Sequence, residues 1–228
     1  MYQLYIANKN YSSWSLRSWV LMSTLGVPFE EHLLRFGDSV AWEHYRRTVT
    51  SRGQVPCIVD GDVTVWESLA IVEYLAEHHR GVWPESARSR AWARSAAAEM
   101  HAGFTELRTR CSMTCGVRIR LHDQPSALAQ DIARLEALWN EGFARFGGPF
   151  LAGAEFCAVD AFFAPVAFRA QSYGLALDPA AMAYVERLLD LPAMRRWYDD
   201  ALRETFRDAP HEQDMLRMGT VLADHRAV

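Results

Sequence analysis

The spacing of apolar residues changes near Gly81, and this change limits the folds open to the chain. Before Gly81, short runs with strand-like character at residues 2–7, 55–59 and 63–66 alternate with stretches of helical spacing. The Asp-Gly-Asp sequence at residues 60–62 predicts a hairpin between the last two runs. After Gly81, only helical spacing recurs. The sequence therefore predicts a small α/β domain followed by an all-helical domain.

The order of the predicted elements sets the domain boundaries. Residues 1–80 read as strand, helix, strand, helix, strand, strand, helix, and residues 81–88, which contain Pro84, read as a linker. Residues 89–228 form the predicted helical domain, with a polar, loosely packed tail from Asp208. Its predicted helices span residues 89–121, 126–146, 160–173, 179–189 and 192–206.

Charge and composition exclude several classes of protein. The net charge of −4 argues against a nucleic-acid-binding protein that works by neutralising phosphates. No apolar stretch reaches the roughly 20 residues of a membrane helix, and the first residues lack a signal-peptide pattern. Four cysteines are too few for a disulfide scaffold of this size. We expect a cytoplasmic protein with reduced thiols and with neither a membrane nor a nucleic-acid partner.

Two serines, Ser12 and Ser13, precede the first predicted helix. A serine at this position most often caps the helix through its side-chain oxygen. The same helix end also favours an anion, because its free N–H groups carry partial positive charge. A hydroxyl held there can donate a hydrogen bond to a thiolate. No cysteine of the chain lies at this helix start, so any thiol activated there belongs to a ligand.

Two later segments have the same double interpretation. Gln54-Val55-Pro56 either begins a strand with a proline or, if the Val55–Pro56 bond is cis, presents the backbone of Val55 to an extended peptide. Glu67-Ser68 either caps a helix or binds the adjacent ammonium and carboxylate groups of an amino-acid terminus.

Together these motifs resemble those of the glutathione transferases. Residues 12–17, Ser-Ser-Trp-Ser-Leu-Arg, are similar to the serine motif of the zeta and tau classes. In those classes the catalytic serine precedes an arginine by five positions, which favours Ser12 and leaves Ser13 as the alternative. Residues 54–56 and 66–75 look like the glutathione-binding signature. The resemblance covers residues 1 to about 206. It implies a thioredoxin-like N-terminal domain followed by an all-α helical bundle.

The resemblance also implies a function. Ser12 would stabilise the thiolate of glutathione, a co-substrate that needs no metal, for attack on a small hydrophobic electrophile in a detoxifying homodimer. The implied glutathione-binding residues are Gln54, Val55, Pro56, Glu67 and Ser68. The implied co-substrate pocket contains Trp14, Met100, His101, Phe104 and Met113. The alternatives are a glutathione-dependent isomerase or peroxidase of the same family, and a non-catalytic transferase-like binding protein.

Some features depart from the family pattern. Trp14 stands where the zeta class has a cysteine, which argues against maleylacetoacetate isomerase activity. Cys157 stands where the family usually has a serine or threonine helix cap, which predicts a weaker cap unless Asp160 compensates.

Two other groups of residues have less specific interpretations. Cys111 and Cys115, four residues apart, are predicted to be structural thiols rather than half of a metal site. A basic band is predicted to be a solvated or dimer-forming face, or alternatively a contact to an anionic ligand. Its members are Arg88, Arg90, Arg94, Arg108, Arg110, Arg118 and Arg120.

Overall fold

Four strands and three helices form the first domain, in the predicted order. The computed structural model describes residues 1–227. The elements of this domain are β1 (Tyr2–Ala7), α1 (Ser13–Thr24), β2 (Phe29–Leu34), α2 (Ser39–Thr48), β3 (Cys57–Asp60), β4 (Val63–Trp66) and α3 (Ser68–His78). The strands lie in the order β2-β1-β3-β4, with β1 parallel to β2 and the other pairs antiparallel.

The sequence explains this arrangement locally. Leu4 and Ile6 alternate with less buried neighbours along β1, so one face of the strand packs into the core. After α1 the chain turns at Gly26, whose φ of 69° suits glycine, and returns as the parallel strand β2. The hairpin between β3 and β4 turns at Gly61, as predicted.

The second domain is mostly helical. Its helices are α4 (Ala87–Ala102), α5 (Thr105–Arg110), α6 (Ser126–Phe146), α7 (Ala158–Tyr173), α8 (Pro179–Asp190), α9 (Pro192–Arg203) and α10 (Ala209–Met218). Two strands, β5 (Val117–Leu121) and β6 (Gly219–Asp224), complete it. Helix α7 is apolar and almost entirely buried, and it packs against α1, α4, α8 and β5.

The prediction of one continuous helix over residues 89–121 is wrong. The helix ends at Gly103, where a side chain would meet the carbonyl oxygen of Glu99, and Phe104 follows with a φ of 54°. Residues 117–121 then form β5, which pairs antiparallel with β6. Because the partner strand lies about a hundred residues later, no local pattern could identify the pair. Helix α4 also begins at Ala87, inside the predicted linker of residues 81–88.

The prediction of a loosely packed tail from Asp208 is also wrong within the described residues. The tail contains α10 and β6, and its Arg226 is buried. The Arg226 guanidinium contacts Glu212 at 2.5 Å and Asp224 at 2.7 Å. The tail is therefore polar in composition but is held in place by the ion pairs of a buried arginine with two partly exposed carboxylates.

The start of α7 resolves the question about its cap. Asp160 is fully buried and accepts hydrogen bonds from the backbone N–H of Cys157 at 2.9 Å and of Leu151 at 3.0 Å. The Tyr184 hydroxyl donates to the same carboxylate at 2.7 Å. Asp160 thus supplies one half of the capping box by accepting from the N-cap backbone N–H, while the Cys157 thiol, a poor acceptor, faces the backbone N–H of Asp160.

The two domains share a buried boundary. Helix α1 packs against α7 and α9. The only lysine of the sequence, Lys9, lies in the loop before α1 and places its ammonium 2.9 Å from Glu31 and 2.8 Å from Asp200 of α9. In residues 1–227 no helix has the length and hydropathy that crossing a membrane requires.

Candidate active site

A cavity of about 390 Å³ lies where the first domain meets α4. Its walls come from the start of α1, the loop before β3, the start of α3 and the end of α4. The lining residues are Ser12, Trp14, Phe36, Trp42, Gly53, Gln54, Val55, Pro56, Glu67 and His101. The structure therefore brings most of the predicted glutathione-binding residues together with Ser12. We call this space the first cavity.

Ser12 caps α1 and is nearly buried, with 6% of its surface exposed. Its Oγ lies 3.4 Å from the backbone nitrogen of Ser15 and donates a hydrogen bond to the Ser15 Oγ at 2.7 Å. The Ser15 Oγ in turn accepts from the backbone N–H of Ala7 at 3.1 Å. Helix α1 has no acidic residue in its first turn, so no carboxylate on the helix opposes an anion there. Ser13 does not line the first cavity.

The loop before β3 presents backbone to the first cavity. The Val55–Pro56 peptide bond is cis, and the Tyr45 hydroxyl fixes the preceding carbonyl of Gln54 at 2.8 Å. Val55 precedes the first residue of β3, and no backbone hydrogen bond of Val55 occurs within residues 1–227. Its N–H and C=O are thus available to an extended ligand.

The Glu67-Ser68 pair has an unusual backbone. Glu67 is the N-cap of α3 with a φ of 71° and a ψ of 127°, a conformation that is rare for a residue with a side chain and is concentrated at functional sites. Its carboxylate lies 3.8 Å from the His101 Nε2. The Ser68 Oγ is buried without a partner in the described chain. Ser68 itself lies beside the first cavity rather than in its wall.

A second cavity of about 600 Å³ lies on the other side of Ser12. It is open to solvent and is bordered by α1, α5, α7 and α10. Ser12, Trp14 and Phe36 line both cavities. The other residues in its wall are Tyr11, Ser13, Thr105, Arg108, Thr109, Ser112, Met113, Arg169, His211 and Asp214.

The predicted co-substrate pocket is only partly supported by this geometry. Trp14 and Met113 line the second cavity, and His101 lines the first. Met100 and Phe104 line neither cavity, because both side chains are buried in the core. Met100 lies on α4 and Phe104 follows the end of that helix, so the two side chains reach the core from different local structures.

Two arginines lie against Trp14. The guanidinium carbons of Arg17 and Arg108 lie over the Trp14 ring, 4.2 and 4.6 Å from its centroid. Arg17 is 1% exposed, and its Nε and Nη1 have no partner among the described residues. Burial lowers the pKa of Arg17 well below its usual value, and the charges of Arg108 and Arg169 lower it further. Burial and the charge of Arg17 also lower the pKa of His101.

Sequence reasoning missed the part that Arg169 plays. It lies 4% exposed in the apolar helix α7 and donates from Nε to the carbonyl of Cys111 at 2.7 Å. Burial lowers its pKa to about 10. A single arginine within an apolar helical run was the available signal. Of the predicted basic band, Arg108 alone lines either of the two cavities.

The cysteines are all buried and free. Burial raises the pKa of Cys111 to about 12, and it also raises the pKa of Cys57, Cys115 and Cys157. In the described chain, no group of three or more His, Cys, Asp or Glu side chains could hold a metal ion.

Comparison with known sequences gives partial matches. Residues 11–78 match the family described as "Glutathione S-transferase, N-terminal domain". A segment of 61 residues is 41% identical to dichloromethane dehalogenase of Methylorubrum extorquens, over 26% of this chain and 21% of that protein. A segment of 54 residues is 39% identical to dichloromethane dehalogenase of Methylophilus leisingeri, over 23% and 20% of the two chains. The matches thus span about a fifth of these relatives.

Comparison with solved structures covers nearly the whole chain. A glutathione transferase homolog from Burkholderia gl BGR1 with bound glutathione has a TM-score of 0.65 and 22% identity, over 88% of this chain and 97% of that one. The theta class glutathione S-transferase of Xanthomonas axonopodis pv. citri with glutathione bound has a TM-score of 0.63 and 21% identity, over 86% and 96%. Ure2p in complex with S-p-nitrobenzylglutathione has a TM-score of 0.65 and 16% identity, over 87% and 94%. At these identities the likeness is one of fold.

Proposed function

We propose that this chain is a glutathione transferase, an enzyme in which Ser12 stabilises the thiolate of bound glutathione for attack on a small electrophile. The observation that carries the proposal is the position of Ser12. It caps α1 and forms part of the wall of both cavities, so a sulfur beside it would face the glutathione space and the electrophile space together.

The physical chemistry of this helix start suits a thiolate. A free thiol with a pKa of about 8.5 is about 3% ionised at pH 7. Lowering that pKa by two units requires about 2.7 kcal/mol of preferential interaction with the anion. One charge-assisted hydrogen bond and the α1 dipole together supply an interaction of this size. Arg17 is buried on the same helix, and its positive charge adds to the positive potential at the helix start.

Ser15 completes the hydroxyl arrangement. The Ser12 hydroxyl donates to Ser15, and a hydroxyl hydrogen rotates at little cost. When Ser12 turns its hydrogen toward the sulfur, the Ser15 hydroxyl can donate to the Ser12 Oγ in return. Because the backbone N–H of Ala7 fixes the Ser15 Oγ, Ser15 acts as a positioning residue.

The rest of the first cavity fits the tripeptide. The free backbone groups of Val55 would pair with the extended cysteinyl part of glutathione, beside Gln54 and Pro56. Glu67 would bind the ammonium of the γ-glutamyl end, and the start of α3 with Ser68 would bind its carboxylate. The electrophile would enter from the second cavity. A relative named for removing chlorine from dichloromethane supports displacement of a halide as the kind of reaction.

The serine is tested by comparing Ser12→Ala with Ser13→Ala. With glutathione and 1-chloro-2,4-dinitrobenzene, Ser12→Ala should lower kcat by about 10- to 100-fold, the effect of losing one charge-assisted hydrogen bond. Ser13 lines only the second cavity, so Ser13→Ala should act on the KM for the electrophile and should leave kcat within about threefold of the wild type. Full activity of Ser12→Ala, or a larger loss in Ser13→Ala, would assign the role elsewhere.

Glutathione binding separates this enzyme from the alternatives. Calorimetric titration with glutathione should show binding to the wild type and weaker binding to Glu67→Gln, which loses the charge that pairs with the ammonium. Binding without turnover of any electrophile would favour the non-catalytic carrier. Turnover confined to isomerisation or peroxide reduction would favour the other activities of the same thiolate. The homodimer and the cytoplasmic location also remain proposals, and light scattering measures the first.

A further inference from the structure

We infer that the electrophile bound in the second cavity carries a carboxylate, which Arg108 and Arg169 recognise. The inference rests on the proposed function for its reaction, while the cavity and its charges can be tested without glutathione. It narrows the substrate from a small hydrophobic electrophile to an anionic one.

The first step concerns charge balance. Arg17, Arg108 and Arg169 raise the local potential together, since the charges of Arg108 and Arg169 act on Arg17 and the charge of Arg108 acts on Arg169. Within residues 1–227 none of the three forms an ion pair with a carboxylate. Arg17 and Arg169 are buried, Arg108 is half-buried, and the charge of Glu67 offsets only part of the repulsion at Arg17. Like charges at buried positions that lack an ion-pair partner oppose folding unless an anion compensates them. The fold therefore maintains a positive site that is suited to an anion.

The second step concerns where the charges point. Arg108 and Arg169 line the second cavity and take no part in the wall of the first. The thiolate at Ser12 accounts for one anion, and Arg17 lies on the helix that Ser12 caps. The two arginines of the second cavity remain for an anion on the other reactant.

The third step concerns the carboxylates nearby. Asp214 is the only acidic residue in the described wall of the second cavity, and its carboxylate contacts Arg217 on the same helix. His211, also in the wall, binds Asp208 through Nδ1 at 2.6 Å. Glu67 belongs to the first cavity, where it lies 3.8 Å from the His101 Nε2. None of these carboxylates neutralises Arg108 or Arg169.

The fourth step concerns the rest of the wall. Trp14, Phe36 and Met113 give the cavity an apolar side, and Thr105 and Thr109 supply hydroxyl groups beside Arg108. A planar electrophile can lie on the apolar side while its carboxylate accepts hydrogen bonds from the guanidinium groups. The volume of about 600 Å³ is large enough for a substituted aromatic ring.

The site is tested directly by calorimetry without glutathione. The experiment compares the affinity for 3,5-dinitrobenzoate with the affinity for the neutral 3,5-dinitrobenzamide. The wild type should bind the benzoate at least about tenfold more tightly than the amide, because the two ligands differ in one charged hydrogen-bonding group. Arg108→Gln should remove the preference, and Arg108→Lys should keep part of it. The matched control is Arg110→Gln on the same helix, whose guanidinium binds Glu106 and Asp123 outside the cavity and which should keep the full preference.

Equal affinity of the wild type for both ligands overturns the inference, as does a preference that survives Arg108→Gln unchanged. Arg108 also donates to the carbonyls of His101 and Gly103, so its folding is checked by thermal denaturation. If Arg108→Gln does not fold, Arg169→Gln takes its place and the same two results decide.

Turnover distinguishes this inference from the proposed function. With glutathione and 4-chloro-3,5-dinitrobenzoate, a sulfur–carbon bond forms, the carbon–chlorine bond breaks, chloride leaves with the bonding electrons and the thiol proton passes to solvent. The value of kcat/KM for this acid is divided by the value for its methyl ester. This ratio should be about 10- to 100-fold lower in Arg108→Gln than in the wild type. An unchanged ratio with both compounds turned over overturns the carboxylate site alone. Tight benzoate binding without turnover of either compound supports the site and contradicts the proposed function alone.

Discussion

The hydroxyls of Ser12 and Ser15 lie 2.7 Å apart at the start of α1, and in the proposed mechanism they act together. A serine in the first turn of a helix does not by itself indicate a function, since serines commonly occupy helix starts. What distinguishes Ser12 is its place in the wall of both cavities. The same residue thus serves as a helix cap in the fold and as a thiolate ligand in the proposed chemistry.

Replacing Ser15 tests this pairing. Ser15→Ala leaves Ser12 without its hydroxyl partner and the buried N–H of Ala7 without its acceptor. We expect kcat to fall about 5- to 20-fold and the pH profile of kcat to shift upward, because the serine hydrogen bond to sulfur becomes less well oriented. Ser15→Thr should restore part of both. The control is Ser18→Ala, one turn further along α1, whose Oγ has no partner in the described chain. Equal effects of Ser15→Ala and Ser18→Ala on the pH profile would reduce Ser15 to a packing role.

Residue patterns predicted one side of the site well and the other poorly. The first cavity is lined by Ser12, Gln54 and Glu67. These residues lie at or just before the starts of helices and strands, where short sequence motifs are informative. The proposed role of Arg169 depends on its position next to the same cavity as Arg108, which lies on a different helix. No spacing within α7 could reveal that relation.

At the scale of elements, helical and strand periods predicted most of the boundaries. Helix α6 spans residues 126–146 and β4 spans residues 63–66, both as predicted. The failures were β5, β6 and α10. Each depends on partners distant in sequence, such as Glu212 of α10, which accepts a hydrogen bond from the Tyr11 hydroxyl at 2.7 Å. Long-range pairing of this kind is invisible to local periodicity.

The start of α7 gives a prediction about stability and pH. Burial raises the pKa of Asp160 to about 6, against about 3.9 for an unfolded aspartate. The folded protein therefore binds this proton more tightly than the unfolded chain does. The stabilising contribution of protonation is fully present below pH 4 and is lost as the pH rises through 6.

Urea denaturation of the wild type and Asp160→Asn across this pH range measures the effect. Asparagine keeps only one of the two acceptor oxygens, so either the Cys157 N–H or the Leu151 N–H and Tyr184 hydroxyl lose their acceptor, and the variant should be about 1–3 kcal/mol less stable at pH 7. Because the variant lacks the titrating group, the difference should widen by roughly 2 kcal/mol between pH 6.5 and pH 4. A difference that narrows on acidification would show that the hydrogen bonds to Asp160 outweigh its burial.

At the scale of the whole molecule, the two domains divide the proposed work. The first supplies the glutathione cavity and Ser12, and the second supplies Arg108 and Arg169. The contact of α1 with α7 and α9 and the pairing of Lys9 with Asp200 hold these parts together. The sequence was sufficient to predict both domains and their order. It could not predict how the second domain shapes a charged cavity, because that shape depends on how the helices pack.

The pKa of the glutathione thiol in its complex with the protein measures the proposed role of Ser12 most directly. It can be followed as the ultraviolet absorbance of the thiolate during a pH titration of the wild type, Ser12→Ala and Ser13→Ala. In the wild type and Ser13→Ala, the thiol pKa should lie about two units below the free value of about 8.5. In Ser12→Ala it should rise by about one to two units, with glutathione still bound. An unchanged thiol pKa in Ser12→Ala would contradict the role of Ser12 as the group that stabilises the thiolate.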